Sequence, residues 1–265
     1  KMKKYLVIGN PIDHSLSPKL HNYWIKKNKI DAVYEKQLLA KDDLRKIISK
    51  LKLGEIDGIN VTVPFKNTVI SYIDELSVEA KKTQSVNTIY CENNKTIGHN
   101  TDIAGFELGL RHFKYNVLGK KVLILGAGGV VPSIIFALKK MKASHIVLSN
   151  RTKSKAENIK KIFPEIEIID WGKTGEFHMI INATSIGLKS DDEIKINYND
   201  FGKNKFFYDV IYNPKNTNFL KKAKELGNEI ENGKMMFIYQ AHQAFAIWHK
   251  IFPEIDSETI KLLDD

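Results

Sequence analysis

A chain of 265 residues carrying a formal charge of +10, with 43% hydrophobic and 27% charged residues, has the balance of a globular protein and room for one large or two modest domains. Its lone cysteine, Cys91, excludes an internal disulfide and offers no metal-ligand spacing, so a reducing cytoplasm and no metal are expected. The lysines lie beside acidic residues in helix-like stretches such as 41–52 and 153–161 without exposed aromatics between them, which argues against nucleic acid and leaves a field suited to a phosphorylated cofactor and an anionic substrate.

In chain order, the apolar run at residues 5–8 is too short for a signal-peptide core, and no later run reaches membrane-span length. A soluble cytoplasmic protein with no membrane partner is expected. Residues 4–9 predict a strand closed by Gly9-Asn10-Pro11. Ser17 then caps a helix with Pro18 in its first turn, and Leu20, Tyr23, Trp24 and Lys27 continue at helical spacing. Residues 32–39 alternate like a strand, 42–53 form an amphipathic helix stopped by Gly54, 56–63 a strand, 68–73 a short helix, and 87–90 another strand. This alternation predicts an α/β unit with a parallel sheet.

A helix over 101–113, with Ile103, Phe106 and Leu110 on one side, leads out of that unit. Residues 121–125 are a continuous apolar strand of the kind buried on both faces of a parallel sheet. Helices over 130–142, 153–163 and 218–226 alternate with strands over 145–149, 166–169, 179–183 and 206–211, predicting a second, doubly wound unit. The long apolar helix over 234–252 must pack on something and is expected to return to the first unit. The expected organisation is therefore a discontinuous substrate domain (1–103 plus 234–265) around a nucleotide-binding domain (104–233), with a cleft between them. Residues 253–265 are readable as a closing helix or a tail.

The chemistry gathers at strand ends in the first unit. Thr62 supplies a hydroxyl, Lys66 an ammonium, Asn87 a carboxamide and Asp102 a carboxylate. An amine and an acid on neighbouring strand ends can shuttle a proton while amide and hydroxyl fix a polyol, which is what oxidation of a secondary alcohol requires. Taken singly, each is better read as a loop polar or a cap, with Asn100 or Thr101 starting the next helix.

The set gains meaning from Gly126-Ala127-Gly128-Gly129-Val130, between a buried strand and a helix, where backbone N–H groups can approach a pyrophosphate. Val131 stands at the third glycine position of the usual fingerprint. Where an NAD site carries an acid for the ribose hydroxyl, this chain has Asn150-Arg151-Thr152 with Lys155 one turn on. A guanidinium, a hydroxyl and an ammonium there favour a 2′-phosphate, and so NADP over NAD. The plain alternative is a solvated helix start capped by Thr152. After a further apolar strand, Asn182-Ala183-Thr184-Ser185 offers small polar groups that would let a cofactor approach.

These segments resemble the shikimate dehydrogenase family along nearly the whole chain, through GNPIDHSLSP, INVTVPFK, SVNT, GHNTD, GAGG, NRT, NATS, YDVIY and NGKMMFIYQA. The resemblance implies an N-terminal α/β substrate domain beside a Rossmann-type NADP domain, and reversible reduction of 3-dehydroshikimate to shikimate with NADPH in aromatic amino-acid biosynthesis. By motif, it gives Ser15 and Ser17 to the substrate carboxylate, and Thr62, Asn87, Tyr212 and Gln240 to the rest of the substrate. Lys66 and Asp102 become the catalytic pair, Lys66 as proton donor in reduction and Asp102 as an orienting carboxylate or second proton carrier. Gly126 to Val130 would cradle pyrophosphate, Asn150, Arg151, Thr152 and Lys155 the 2′-phosphate, and Thr184, Val210 and Gly233 the remainder of the cofactor. Met235 and Val78 depart from the family pattern near the cofactor, and Pro132 falls in the first turn of its helix, where it is tolerated. A quinate-accepting, NAD-using relative and a non-catalytic shikimate-binding sensor remain alternatives; a sensor would be expected to lose Lys66 or Asp102, and both are present. A homodimer is left open.

Overall fold

Strand β1 (Lys3–Gly9) is buried from Tyr5 onward and carries β2 (Ala32–Leu38) and β3 (Gly58–Val61) on its two sides, both parallel to it. It belongs to the first of two units in the computed structural model, which describes residues 1–264. That unit comprises Lys1–Gly105 with Ile238–Asp265, and the second comprises Phe106–Phe237. Helices α1 (Ser17–Lys27) and α2 (Leu44–Lys52) connect the first three strands. On α2, Leu44, Ile47, Ile48 and Leu51 are buried at helical spacing against Leu6, Ile8, Ile59 and Val61. Each such side chain contributes about 1.5–3 kcal/mol of burial.

Beyond β3 come the short β4 (Glu75–Leu76), helix α3 (Val78–Thr83), β5 (Thr88–Glu92), β6 (Lys95–His99) and helix α4 (Asp102–His112). The sheet order is β2-β1-β3-β5-β6-β4, and β5 runs antiparallel to both β3 and β6. The first sheet is therefore mixed, not parallel throughout as the alternation of elements predicted. The β5–β6 reversal is local: Asn93 and Asn94 both adopt positive φ (51° and 60°), the backbone of a two-residue hairpin turn that matches strand twist.

In the second unit, β7 (Lys121–Leu125), α5 (Val131–Lys140), β8 (His145–Ser149), α6 (Lys153–Ile162), β9 (Glu167–Ile168), β10 (Met179–Asn182), β11 (Phe206–Asp209), α7 (Asn218–Glu225) and β12 (Glu229–Asn232) alternate along the chain. All its strand pairs are parallel, in the order β12-β11-β10-β7-β8-β9. The order reverses between β7 and β10, the switch point where doubly wound sheets open a crevice at their carboxyl ends. Leu123, Leu125, Ile180, Phe207 and Phe219 pack one side of the sheet.

Helix α8 (Lys234–His249) contains the second boundary, and its C-terminal part packs within the first unit. There the Trp248 ring lies 4.8 Å from Tyr5, and its indole N–H donates to the Ile89 carbonyl at 3.2 Å. Helix α9 (Ser257–Lys261) follows, capped by Asp256. Among the described residues no helix is long and apolar enough to cross a membrane, and no His, Cys, Asp and Glu cluster could hold a metal.

Candidate active site

Three chain segments of the first unit converge by backbone hydrogen bonds. After β3, Thr62 N–H donates to Ile8, and the turn closes with Phe65 N–H to Thr62. The Lys66 carbonyl then accepts from Val86 N–H at 2.8 Å, while Asn87 N–H reaches the His99 carbonyl at 3.0 Å. This places Lys66, Asn87 and the approach to α4 side by side. Asn100 Oδ1 accepts from the N–H groups of Asp102 and Ile103 at 3.0 and 3.3 Å, capping α4 and presenting Asp102 as its first residue.

The Lys66 ammonium lies 2.6 Å from Asp102 Oδ2. The other oxygen, Oδ1, lies 3.4 Å from the Asn87 amide, so both carboxylate oxygens are engaged. With side-chain exposures of 13% and 7%, Lys66 and Asp102 form a largely desolvated pair. Removing either partner would leave a buried charge uncompensated, a loss of about 3–5 kcal/mol in such settings. Chemically, the pair sets a proton-bearing cation next to an acceptor on a scaffold of fixed amides, suited to stabilising charge on a substrate oxygen.

Around it, Thr101 Oγ1 accepts from Asn87 at 2.8 Å and donates to the Gln240 carbonyl at 3.0 Å, tying α8 to the start of α4. Thr62 and Ser15 are half-buried, and Ser17 is buried. Ser17 does not cap α1 as its spacing predicted. It is the first helical residue, and its N–H is held by Ser15 Oγ at 3.3 Å; Leu16, at the cap position, has φ −95° and ψ 2°, not the extended backbone a side-chain cap needs. The two serines are therefore locked to each other at the mouth of the helix.

The second unit carries the remaining predicted residues. Gly126 has φ +119°, and a Cβ there would sit 2.6 Å from the Ala183 carbonyl oxygen, so the glycine loop packs directly on the chain leaving β10. A Cβ on Gly128 would meet nothing within 4 Å, which leaves that part of the loop open to a phosphate ahead of α5. At the end of β8, Arg151, Thr152 and Lys155 are exposed, and the Asn150 amide donates to the Thr152 carbonyl at 2.9 Å. Thr152 holds the cap position of α6 without a side-chain bond, so its hydroxyl is not spent on capping. These donors, all at the carboxyl edge of the sheet, fit a phosphorylated dinucleotide.

Thr184 is fixed by Asn182 Oδ1, which accepts from its N–H at 3.0 Å and its hydroxyl at 2.6 Å. Asn182 in turn donates to Asp209 Oδ1 at 3.1 Å. Burial pushes the Asp209 carboxyl up to about 6, against hydrogen bonds from Thr217, Ile211 N–H and Asn182 that favour its charged form. Asp209 thereby anchors the segment bearing Val210 and Tyr212. The Tyr212 ring lies 4.8 Å from Phe237, tilted 31° to it, and its phenol is pushed up by burial. Gly233 is pressed against Val210, whose carbonyl oxygen would lie 2.0 Å from a Cβ.

Asn60, which donates to the Asn87 carbonyl at 3.0 Å, and Asp209, which accepts from Asn182, were not singled out by sequence reasoning. Each stands between hydrophobic neighbours in the sequence, and that mismatch was the available signal.

Two family descriptions match the chain: "Shikimate dehydrogenase substrate binding domain" over residues 7–89 and "Shikimate / quinate 5-dehydrogenase" over residues 107–191. A relative from Pelagibacter ubique, named shikimate dehydrogenase (NADP(+)), is 64% identical over 99% of each chain. The crystal structure of shikimate dehydrogenase from Aquifex aeolicus superposes with a TM-score of 0.90 at 36% identity, covering 100% of this chain and 98% of that one. The Thermus thermophilus shikimate 5-dehydrogenase, solved with NADP(H) and shikimate, superposes with a TM-score of 0.89 at 27% identity over 98% of this chain and 97% of that one.

Proposed function

The chain belongs to the shikimate dehydrogenase family, and from that premise we propose that it catalyses the reversible NADPH-dependent reduction of 3-dehydroshikimate to shikimate, a step toward aromatic amino acids. The observation that carries the mechanism is the Lys66–Asp102 contact of 2.6 Å, with Asn87 on the second carboxylate oxygen.

NADPH, when bound, supplies the hydride. The residues read as holding it are the 126–130 loop for pyrophosphate, Asn150, Arg151, Thr152 and Lys155 for the 2′-phosphate, and Thr184, Val210 and Gly233 for the remainder. Ser15 and Ser17 are read as donors to the substrate carboxylate, with Thr62, Asn87, Tyr212 and Gln240 on the ring substituents.

As the carbonyl carbon is reduced, its oxygen becomes an alkoxide in need of a proton. Lys66 stabilises that charge and delivers the proton; in the oxidation direction its amine takes the proton back. Asp102 keeps the ammonium aimed and accepts from the neighbouring substrate hydroxyl. The Asn87 amide near Oδ1 limits how far the carboxylate can rotate. Every residue in this mechanism comes from one chain, so it asks nothing of a second copy. The cytoplasm, with its NADPH pool and reducing conditions, suits a protein with a single unpaired cysteine.

Following absorbance of the reduced nicotinamide with shikimate and NADP tests the proposal, with quinate and NAD in parallel. Turnover with shikimate and NADP well above any other pairing is expected. Equal rates with quinate and NAD would replace this reading with the broader quinate/shikimate one.

A further inference from the structure

Tyr34 lies on β2 and has no role in the mechanism above, yet it is 1% exposed and its hydrogen bonds reach toward both α1 and Asn87. Its hydroxyl donates to Asn60 Oδ1 at 2.7 Å. The Asn60 amide passes the connection on, donating to the Asn87 carbonyl at 3.0 Å and to Thr88 Oγ1 at 3.1 Å. Thr88 Oγ1 then donates to Asn87 Oδ1 at 3.1 Å. Four bonds thus connect one phenol to both the backbone and the side chain of Asn87.

Toward the other end, Tyr34 is bolted to α1, the helix that Ser17 begins. Asn22 on α1 clamps its backbone from both sides, donating to the Tyr34 carbonyl at 2.8 Å and accepting from its N–H at 2.9 Å. His21 on the same helix stacks on the Tyr34 ring, centroids 4.3 Å apart and planes 4° from parallel. Tyr34 is thus held on α1 through its backbone and its ring, while its hydroxyl is spent on Asn60. A buried phenol must satisfy its O–H somewhere, and here the acceptor is the amide that fixes Asn87.

We propose that Tyr34 is a positioning residue for the substrate: it sets the spacing between Ser17 on α1 and Asn87 at β5 so that one ligand can engage both. The proposal rests on the reading of Ser17 and Asn87 as substrate-binding residues. A ligand that is a rigid ring with a carboxylate at one end and hydroxyls at the other is sensitive to that spacing, whereas a cofactor held by the second unit's residues is not.

The test is steady-state kinetics of Tyr34→Phe, with Asn60→Ala breaking the same link from its other end, and Tyr23→Phe as a control that removes a hydroxyl from α1 without touching the network. Tyr34→Phe is expected to raise the KM for shikimate by about tenfold, the weight of one or two neutral hydrogen bonds, while the KM for NADP stays within about twofold. Asn60→Ala should follow the same pattern, and Tyr23→Phe should match the parent protein. In double variants with Ser17→Ala, the two effects should be markedly less than additive, because the phenol acts through the serine's helix. An unchanged shikimate KM, a parallel rise in both Michaelis constants, or strict additivity would overturn the role of Tyr34. If Ser17→Ala and Asn87→Ala themselves leave the shikimate KM untouched, the site assignment fails first, and the role of Tyr34 with it.

Discussion

Asn87 and Thr101 hold each other at two points: the Asn87 amide donates to Thr101 Oγ1 at 2.8 Å, and the Thr101 N–H donates back to Asn87 Oδ1, also at 2.8 Å. The residue after Thr101 is Asp102, so this clasp fixes where the carboxylate begins. Both residues are nearly inaccessible, with exposures of 3% and 4%, and neither has water to fall back on. Asn87→Ala should therefore strand the Thr101 N–H and destabilise the protein by about 1–3 kcal/mol, the scale of an unsatisfied buried donor. Urea unfolding of the variant against the parent measures it; an unchanged midpoint would mean the clasp is not stabilising.

Arg151 and Lys155 are exposed at the end of β8, at the proposed 2′-phosphate site. Arg151→Ala should raise the KM for NADP by about ten- to a hundredfold, since a charge-assisted hydrogen bond is worth about 1.5–3 kcal/mol, and leave activity with NAD nearly unchanged. A parallel loss with both cofactors would show that the guanidinium serves the fold rather than the 2′-phosphate.

Legibility in the sequence followed burial. Strand β7 was readable to the residue because Val122, Leu123, Ile124 and Leu125 are apolar on both faces, and β8 likewise. The antiparallel edge of the first sheet was not. Strand β6 is only five residues with a glycine inside it, and the signal for its hairpin was the Asn93-Asn94 pair between two short alternating runs. Strand β12, Glu-Ile-Glu-Asn, is too polar to stand out, and α3 is too short to show a period. In the site, Lys66 and Asp102 stood out only as members of a set of polar residues, and the fold sets them 2.6 Å apart. The links through Asn60 and Tyr34 were not legible, because they join residues 26 and 27 positions apart whose pairing only the sheet register creates.

Gly126 combines positive φ with a Cβ position 2.6 Å from the Ala183 carbonyl oxygen. Gly126→Ala must push the glycine loop off β10 and should weaken NADP binding by at least about tenfold, with a loss of stability of more than about 1 kcal/mol. Fluorescence titration of NADPH together with thermal unfolding would detect both; a variant binding NADPH normally would show that the loop has slack.

His21 is fully buried against Tyr34, and burial, with a smaller repulsion from His249, drags its imidazole down to about 3. A folded value below the usual 6.5 means that its contribution to stability is complete above about pH 6.5 and is lost as the pH falls toward 3. At pH 4 this amounts to at most about 3 kcal/mol. His21→Phe keeps the stack and removes the titration, so between pH 7 and 4 the parent should lose more stability than the variant. Parallel pH dependences in urea unfolding would contradict this.

The account turns on Lys66 handling the proton, and turnover of Lys66→Met with shikimate and NADP tests that most directly. With the variant shown to be folded by circular dichroism, kcat should fall by about a hundredfold or more, the scale of lost acid–base assistance, while the KM for shikimate moves only a few-fold. A kcat within a few-fold of the parent would contradict it, and the proton would have to be carried by another group.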